Sequence, residues 1–184
     1  MKDRGTRTRE RLSDAALDLF GTYGYDETTV AQIAAAAGVT EMTFFRHFSS
    51  KADVLLDDPF DPLVAAAVAR EPVELDPMTR VVRGIRASWA TIPARGGEQI
   101  KMRVRIAAQT PSLRAAIWQN TERTQRAIVE QLVDDGVDRL AAQIAAAAVL
   151  AGITAALLEW AMAEGEGLDP VMQTALSVLG SGHA

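Results

Sequence analysis

Cysteine is absent from this 184-residue chain, and histidine occurs only twice, at His47 and His183. The first absence removes disulfides, thiol nucleophiles and structural zinc-finger sites together, and it is neutral toward a reducing cytoplasm. The second leaves neither imidazole with a metal-ligating partner at useful spacing, so no metal site is expected. Catalytic patterns are missing too. There is no pair of carboxylates with an orienting partner, no nucleophile beside a base, no glycine-rich phosphate loop and no zinc helix. Glu159 stands alone in apolar surroundings, where it could be satisfied by a neighbouring helix or used for ligand binding. The expectation is a protein with no catalytic residue and no cofactor. No strand-like alternation, internal repeat or low-complexity linker is found, and no apolar start with a basic flank suggests export, so a cytoplasmic location is expected.

What is present is apolar and helical. Apolar residues make up 48% of the chain, which excludes disorder and favours a packed globule. The net charge of −5 and a pI near 5.1 argue against indiscriminate binding to nucleic acid. Distribution qualifies the sum. Lys2, Arg4, Arg7, Arg9 and Arg11 face only Asp3 and Glu10 in the first eleven residues, whereas acids cluster at Asp57, Asp58 and Asp61 and at Asp134, Asp135 and Asp138. One end of the molecule should therefore be basic.

Helical spacing accounts for nearly all of the chain. A first helix over about 7–23 carries Leu12, Ala16, Leu19, Phe20 and Tyr23 on one face. Two short helices follow within Thr28 to Lys51, and a fourth begins near Ser50 with Val54 and Leu55. Pro59 and Pro62 then interrupt the pattern before it resumes over 63–70. Asp76-Pro77 opens a helix through Ile92, and another spans about 98–109. A long one restarts after Thr110-Pro111-Ser112 and ends near Gly136, a further one runs from Asp138 to about Ala163, and a last one runs from Asp169-Pro170 to Leu179. The run Ile144 to Ala163 approaches the roughly 20 apolar residues of a membrane span. Its alanine richness, Thr154 and Glu159 favour a buried or dimer-forming helix instead.

The stretch Thr28 to Lys51 reads as two helices joined by a tight turn. Thr28 or Thr29 caps the first, whose apolar face is Val30, Ile33, Ala34 and Ala37, and Gly38 ends it. Thr40 caps the second. Phe44 and Phe48 lie one turn apart on its inward stripe, leaving Glu41, Met42, Thr43, Arg46 and His47 largely outward. That arrangement fits a helix-turn-helix reader of the DNA major groove. With its flanks, RTRERLSDAALDLFGTYGYDETT upstream, Ile33 to Val39 in the middle and the Thr-Phe-x-x-His-Phe-x-x-Lys series from Thr43 to Lys51, it resembles the N-terminal domain of the TetR family of bacterial transcriptional regulators.

The resemblance implies an all-α fold: a three-helix DNA-binding domain over 1–56, then a helical bundle over 57–184 that binds an effector and dimerises. It implies DNA contacts from Arg7, Thr28, Thr29, Thr40, Glu41, Met42, Thr43, Phe45, Arg46, His47 and Lys51. For each there is a plainer reading. The threonines can cap helices without touching phosphate, and Lys51 can be a solvated surface lysine. Arg46 can reach phosphate, a guanine edge or neither, and Glu41 can meet a cytosine amino group or simply favour the helix dipole. Phe45 departs from the tyrosine common in the family, which loses one hydroxyl contact worth roughly 0.5–1.5 kcal/mol.

A lone helix-turn-helix contacts too little DNA for selective binding, so a homodimer on a palindromic double-stranded operator is implied. The apolar stretch Ala141 to Met162 and the last helix, with Val171, Met172, Leu176 and Leu179, are the expected dimer helices. Trp89, Met102, Ile106, Gln109, Trp118 and Trp160 could line a small-molecule pocket, or build ordinary core. The row Lys101, Arg103 and Arg105 could meet an anionic ligand or face solvent. The middle segment loosely resembles regulators responding to long-chain acyl-coenzyme A. The expected function is a dimeric repressor released by a small-molecule effector. The alternative is a helical interaction or architectural DNA-binding module with no effector response.

Overall fold

The structure is a computed structural model that describes residues 4–56, 61–91, 97–165 and 167–181; at 61, 62, 97, 98, 114, 115, 118 and 119 it describes the backbone alone. Lys2, Pro59 and His183 lie outside the described residues. Every regular element among the described residues is helical. In chain order these are α1 (Arg4–Tyr23), α2 (Val30–Ala36), α3 (Glu41–Phe45), α4 (Asp53–Leu56), α5 (Asp61–Val68), α6 (Pro77–Trp89), α7 (Gly97–Gln109), a 3₁₀ turn (Pro111–Leu113), α8 (Arg114–Asp134), α9 (Arg139–Met162) and α10 (Leu168–Gly180).

Most boundaries follow the local chemistry that the sequence announces. Regular helix is described from Arg4, a turn earlier than expected, and the Thr8 hydroxyl donates back to the Arg4 carbonyl at 3.0 Å. Helix α6 stops at Trp89 rather than reaching Ile92. Thr91 closes the turn there, its amide and its hydroxyl both donating to the Ser88 carbonyl, at 3.0 and 2.7 Å. Asp76 and Asp138 cap α6 and α9 by accepting from Thr79 and from Leu140 and Ala141. Gly136, at φ +91°, ends α8 with the Val137 amide reaching back to Leu132 at 3.0 Å.

The chain divides into two compact units. The first joins residues 1–57 to 99–117, and the second joins 58–98 to 118–184. The core of the first unit is Leu12, Ala16, Leu17 and Phe20 from α1, Ile33, Ala34 and Ala37 from the α2 segment, Phe44 and Phe48, Val54 and Leu55 from α4, and Ala107 and Leu113 from the later segment. Tyr23 is not on this face; it is 64% exposed, because α1 ends beyond the core. Tyr25 takes the place expected of it, with its ring 5.1 Å from Phe20.

In the second unit α6 packs on α5, α9 and α10, and α9 packs on α10. Gly84 permits the α5–α6 crossing: a Cβ there would lie 2.5 Å from Val68 Cγ2 and 2.8 Å from the Val68 backbone. Arg80 is fully buried, and its guanidinium reaches Asp135 Oδ2 at 2.5 Å and the Val68 carbonyl at 3.4 Å. Its hydrogen bond, seconded by one from Gln131, holds the Asp135 carboxyl below the usual carboxylate range. Helix α9 buries Ala142, Ala145, Ala146, Val149, Ile153, Trp160 and Ala161, yet it leaves Leu140, Ile144 and Met162 more than half exposed. By length and composition it could cross a membrane. Its packed alanine face and the cap at Asp138 give it the form of a bundle helix.

Candidate nucleic-acid interface

The site grows from two caps and a glycine. Thr29 and Gln32 form a reciprocal capping box at the start of α2. At its end Gly38 adopts φ +64°, and the amides of Gly38 and Val39 return to Ala35 and Ala34 at 3.0 and 2.9 Å. The turn hands over to Thr40, whose hydroxyl accepts from the Thr43 amide at 3.2 Å and lies 3.1 Å from the Thr43 hydroxyl. Helix α3 has only five residues. Too short to persist alone, it is held by Phe44, which is fully buried between Phe48 (ring centroids 5.5 Å apart) and the edge of Phe45 (5.4 Å).

Helix α1 supplies two further fasteners. The Arg9 guanidinium lies over the Phe48 ring at 4.2 Å and donates to the His47 carbonyl at 2.5 Å. Arg11 donates to the Ala37 carbonyl at the end of α2. These arginines therefore cap the carboxyl ends of the two motif helices, where a cation also opposes the negative end of the dipole. Composition counted them only as basic charge. The signal available was the one-turn spacing of Arg9 from buried Leu12 and of Arg11 from the partly buried Ala15, which places both arginines at the border of the core face.

Outward of this frame stand Glu41, Met42, Phe45 and Arg46, with Met42 75% and Phe45 52% exposed. Thr43 and His47 are half-buried at the margin, and Thr29, Thr40 and Arg7 are exposed. Thr28 is one of two candidates that turn inward. It is 1% exposed, and its hydroxyl donates to the Gly24 carbonyl at 2.8 Å, so it fastens the α1–α2 loop and presents nothing to a duplex.

Lys51 also turns inward. Its ammonium donates to the carbonyls of Tyr25 at 2.6 Å, Thr28 at 2.7 Å and Asp26 at 3.4 Å, and sits 4.1 Å from the Tyr25 ring centre. Burial pushes its pKa down, against the opposing pull of Asp26 and Glu27. All three ammonium hydrogens have acceptors in the α1–α2 loop, so this lysine organises the entrance to α2. Asp53 completes the neighbourhood by accepting from the amides of Ser49 and Ser50 at 3.0 and 3.1 Å.

The six effector candidates are dispersed. Met102, Ile106 and Gln109 belong to the first unit, where Ile106 packs on the core, while Met102 and Gln109 are exposed. Trp89 and Trp160 belong to the second. The Trp89 indole donates to Asp169 at 2.7 Å, and Trp160 is 3% exposed. The side chain of Trp118 lies outside the described residues. Among the described residues, one surface cleft of about 370 Å³ is lined by Arg4, Gly5, Thr8, Arg46 and His47, and another of about 380 Å³ lies between α6 and α10. None of the five described side chains lines either.

Comparison with known proteins fits this geometry. Residues 12–57 match the N-terminal domain described as "Bacterial regulatory proteins, tetR family", and residues 75–184 match the "MftR C-terminal domain". The chain is similar to the HTH-type transcriptional regulator TcmR of Streptomyces glaucescens, 35% identical over 128 residues that cover 68% of this chain and 53% of that protein. It thus spans about half the length of this curated relative. Among solved structures, a TetR-family regulator from Syntrophomonas wolfei superposes with a TM-score of 0.63 at 19% identity, covering 97% of this chain and 95% of that one. The Thermus thermophilus FadR repressor, solved with lauroyl-CoA, gives 0.52 at 23% identity, covering 96% and 95%. At those identities the likeness is one of fold. The relatives named are transcriptional regulators, none an enzyme.

Proposed function

Because the chain belongs to the TetR family of bacterial regulatory proteins, we propose that it is a cytoplasmic, sequence-specific DNA-binding regulator that acts as a homodimer on a palindromic operator and is released by a small-molecule effector. The observation that carries the proposal is the division of labour on α3: Phe44 is sealed inside, while Glu41, Met42, Phe45 and Arg46 point to solvent behind a capped glycine turn. A helix presented this way can enter a major groove. Phosphates can meet the exposed Thr29, Thr40 and Arg7, with Thr43 and His47 at the margin.

The exposed side of α9 supports dimerisation. Leu140, Ile144 and Met162 recur there together with Ala148, Ala151 and Ala155, and Val178 of α10 is 69% exposed. A second copy covering these faces would remove apolar surface from water and set two recognition helices about 34–36 Å apart.

The effector acts by differential binding: it favours a state in which the recognition helices are mis-spaced, and it can shift the population only by its affinity difference between states. The path for that shift is α7 and α8. Residues 99–117 share the core of the first unit through Ala107 and Leu113, and α8 continues as one helix into the second unit. Acyl-coenzyme A thioesters are the first effectors to try, since the Gln109 to Arg114 stretch resembles regulators of that class.

An electrophoretic shift with the chain's own upstream DNA at graded salt tests the reading. A selective complex that weakens with salt is expected, and sequence-blind binding would point to an architectural module instead. Effectors that bind tightly without changing operator affinity would overturn the release mechanism.

A further inference from the structure

The cleft between the start of α1 and the end of α3 joins two residues of the reading above, Arg46 and His47, to one that it does not use, Arg4. Its walls are Arg4, Gly5 and Thr8 on one side, Arg46 and His47 on the other, and its volume is about 370 Å³. Arg4 and Thr8 share a helix face one turn apart. The Thr8 hydroxyl donates to the Arg4 carbonyl at 3.0 Å, so Thr8 serves as wall and as acceptor-bearing floor rather than as a donor. Across the cleft, the bond from Arg9 to the His47 carbonyl ties the end of α3 to α1 and holds the two walls at a fixed spacing.

The electrostatics are unbalanced. Both arginines are exposed, and among the described residues neither guanidinium has a partner and none that lines the cleft is acidic. Two cations that converge on one concave surface repel each other until an anion lies between them, and a guanidinium pair offers the forked donors that a phosphate oxygen accepts. The cleft opens beside the outward face of α3, where the backbone of a bound duplex would pass.

We propose that this cleft is a clamp for one phosphodiester of the operator backbone, with Arg4 and Arg46 as its two jaws and His47 as its edge. This rests on the DNA-binding reading above and deepens it. Arg46 then fixes register and contributes affinity, but it does not read a guanine edge. Arg4 then joins Arg7 on the first turn of α1 as a backbone contact, outside the helix-turn-helix itself.

The test uses the full-length protein, its upstream operator duplex and a duplex of equal length with the operator scrambled, titrated from low to high salt. Arg4→Ala and Arg46→Ala are compared with wild type and with Arg70→Ala, an exposed arginine of the second unit. Circular dichroism confirms that each variant is folded. The proposal expects each clamp variant to bind both duplexes roughly tenfold more weakly, to keep the wild-type preference between them, and to lower the salt slope by about 1, with Arg70→Ala unchanged. Loss of discrimination in Arg46→Ala would make it a base reader and overturn the clamp, as would an unchanged affinity and slope in Arg4→Ala. Wild type that binds no duplex would instead bring down the regulator reading and the clamp with it, so the two failures are told apart by wild type alone.

Discussion

Helices α3 and α9 are both left partly uncovered, and in opposite ways. Five residues long, α3 spends one fully buried phenylalanine on its core and shows a mixed surface of Glu41, Met42, Phe45 and Arg46. With 24 residues, α9 packs several alanines inward and shows Leu140, Ile144 and Met162, a mainly apolar face with the exposed Glu159 at its edge. Mixed chemistry on a rigid, capped helix suits a polar, patterned partner such as a duplex edge. A largely apolar face suits a surface of the same kind, and a second copy of the chain provides one.

If the contrast is real, each helix should fail in its own way. The largest effect is expected from Ile144→Glu, which would place an unpaired charge in the dimer face. Light scattering should find a monomer, and operator affinity should fall by about a hundredfold while the fold persists. Phe44→Ala should cost the first unit about 3–5 kcal/mol in denaturant unfolding, whereas Phe45→Ala, one residue on, should cost under about 0.5 kcal/mol and weaken only DNA binding. Gly84→Ala should destabilise the second unit by about 1–3 kcal/mol through the contact with Val68, without altering the operator preference. Thr29→Ala removes one half of a capping box and should cost about 1 kcal/mol, seen as a melting temperature lower by about 2–4 °C.

The smallest effect is on the acid limb. Asp135 has a folded pKa below its unfolded value, so its contribution is present above about pH 4 and is lost as pH falls through the folded value. Wild type should therefore lose stability in that window more steeply than Asp135→Asn, measured by chemical unfolding at a series of pH values.

Much of the motif was legible because its determinants are local. The one-turn spacing of Phe44 and Phe48, the glycine at 38 and the threonines at 29 and 40 fix the caps and the turn within about twenty residues of chain, and the structure bears each of them out. What the sequence hid depends on distant backbone. Lys51 looks like a free cation in the sequence, but its acceptors are carbonyls at 25, 26 and 28, which exist as a cluster only after α1 and α2 have packed. Arg9 and Arg11 find their carbonyls 38 and 26 residues away. The share that residues 99–117 take in the first unit could not be seen either, because Ala107 and Leu113 carry no pattern that distinguishes one core from another.

Position 84 works as a spacer made of an absent atom. A methyl group there would strike main chain at residue 68 as well as the valine side chain, so trimming Val68 alone would not make room. Relatives that carry any larger residue at this point must hold the two helices farther apart, and the floor beneath them must be refilled with bulkier neighbours. Side-chain volume at this crossing should thus sort members of the family into narrow-waisted and wide-waisted bodies, independently of what their recognition helices read.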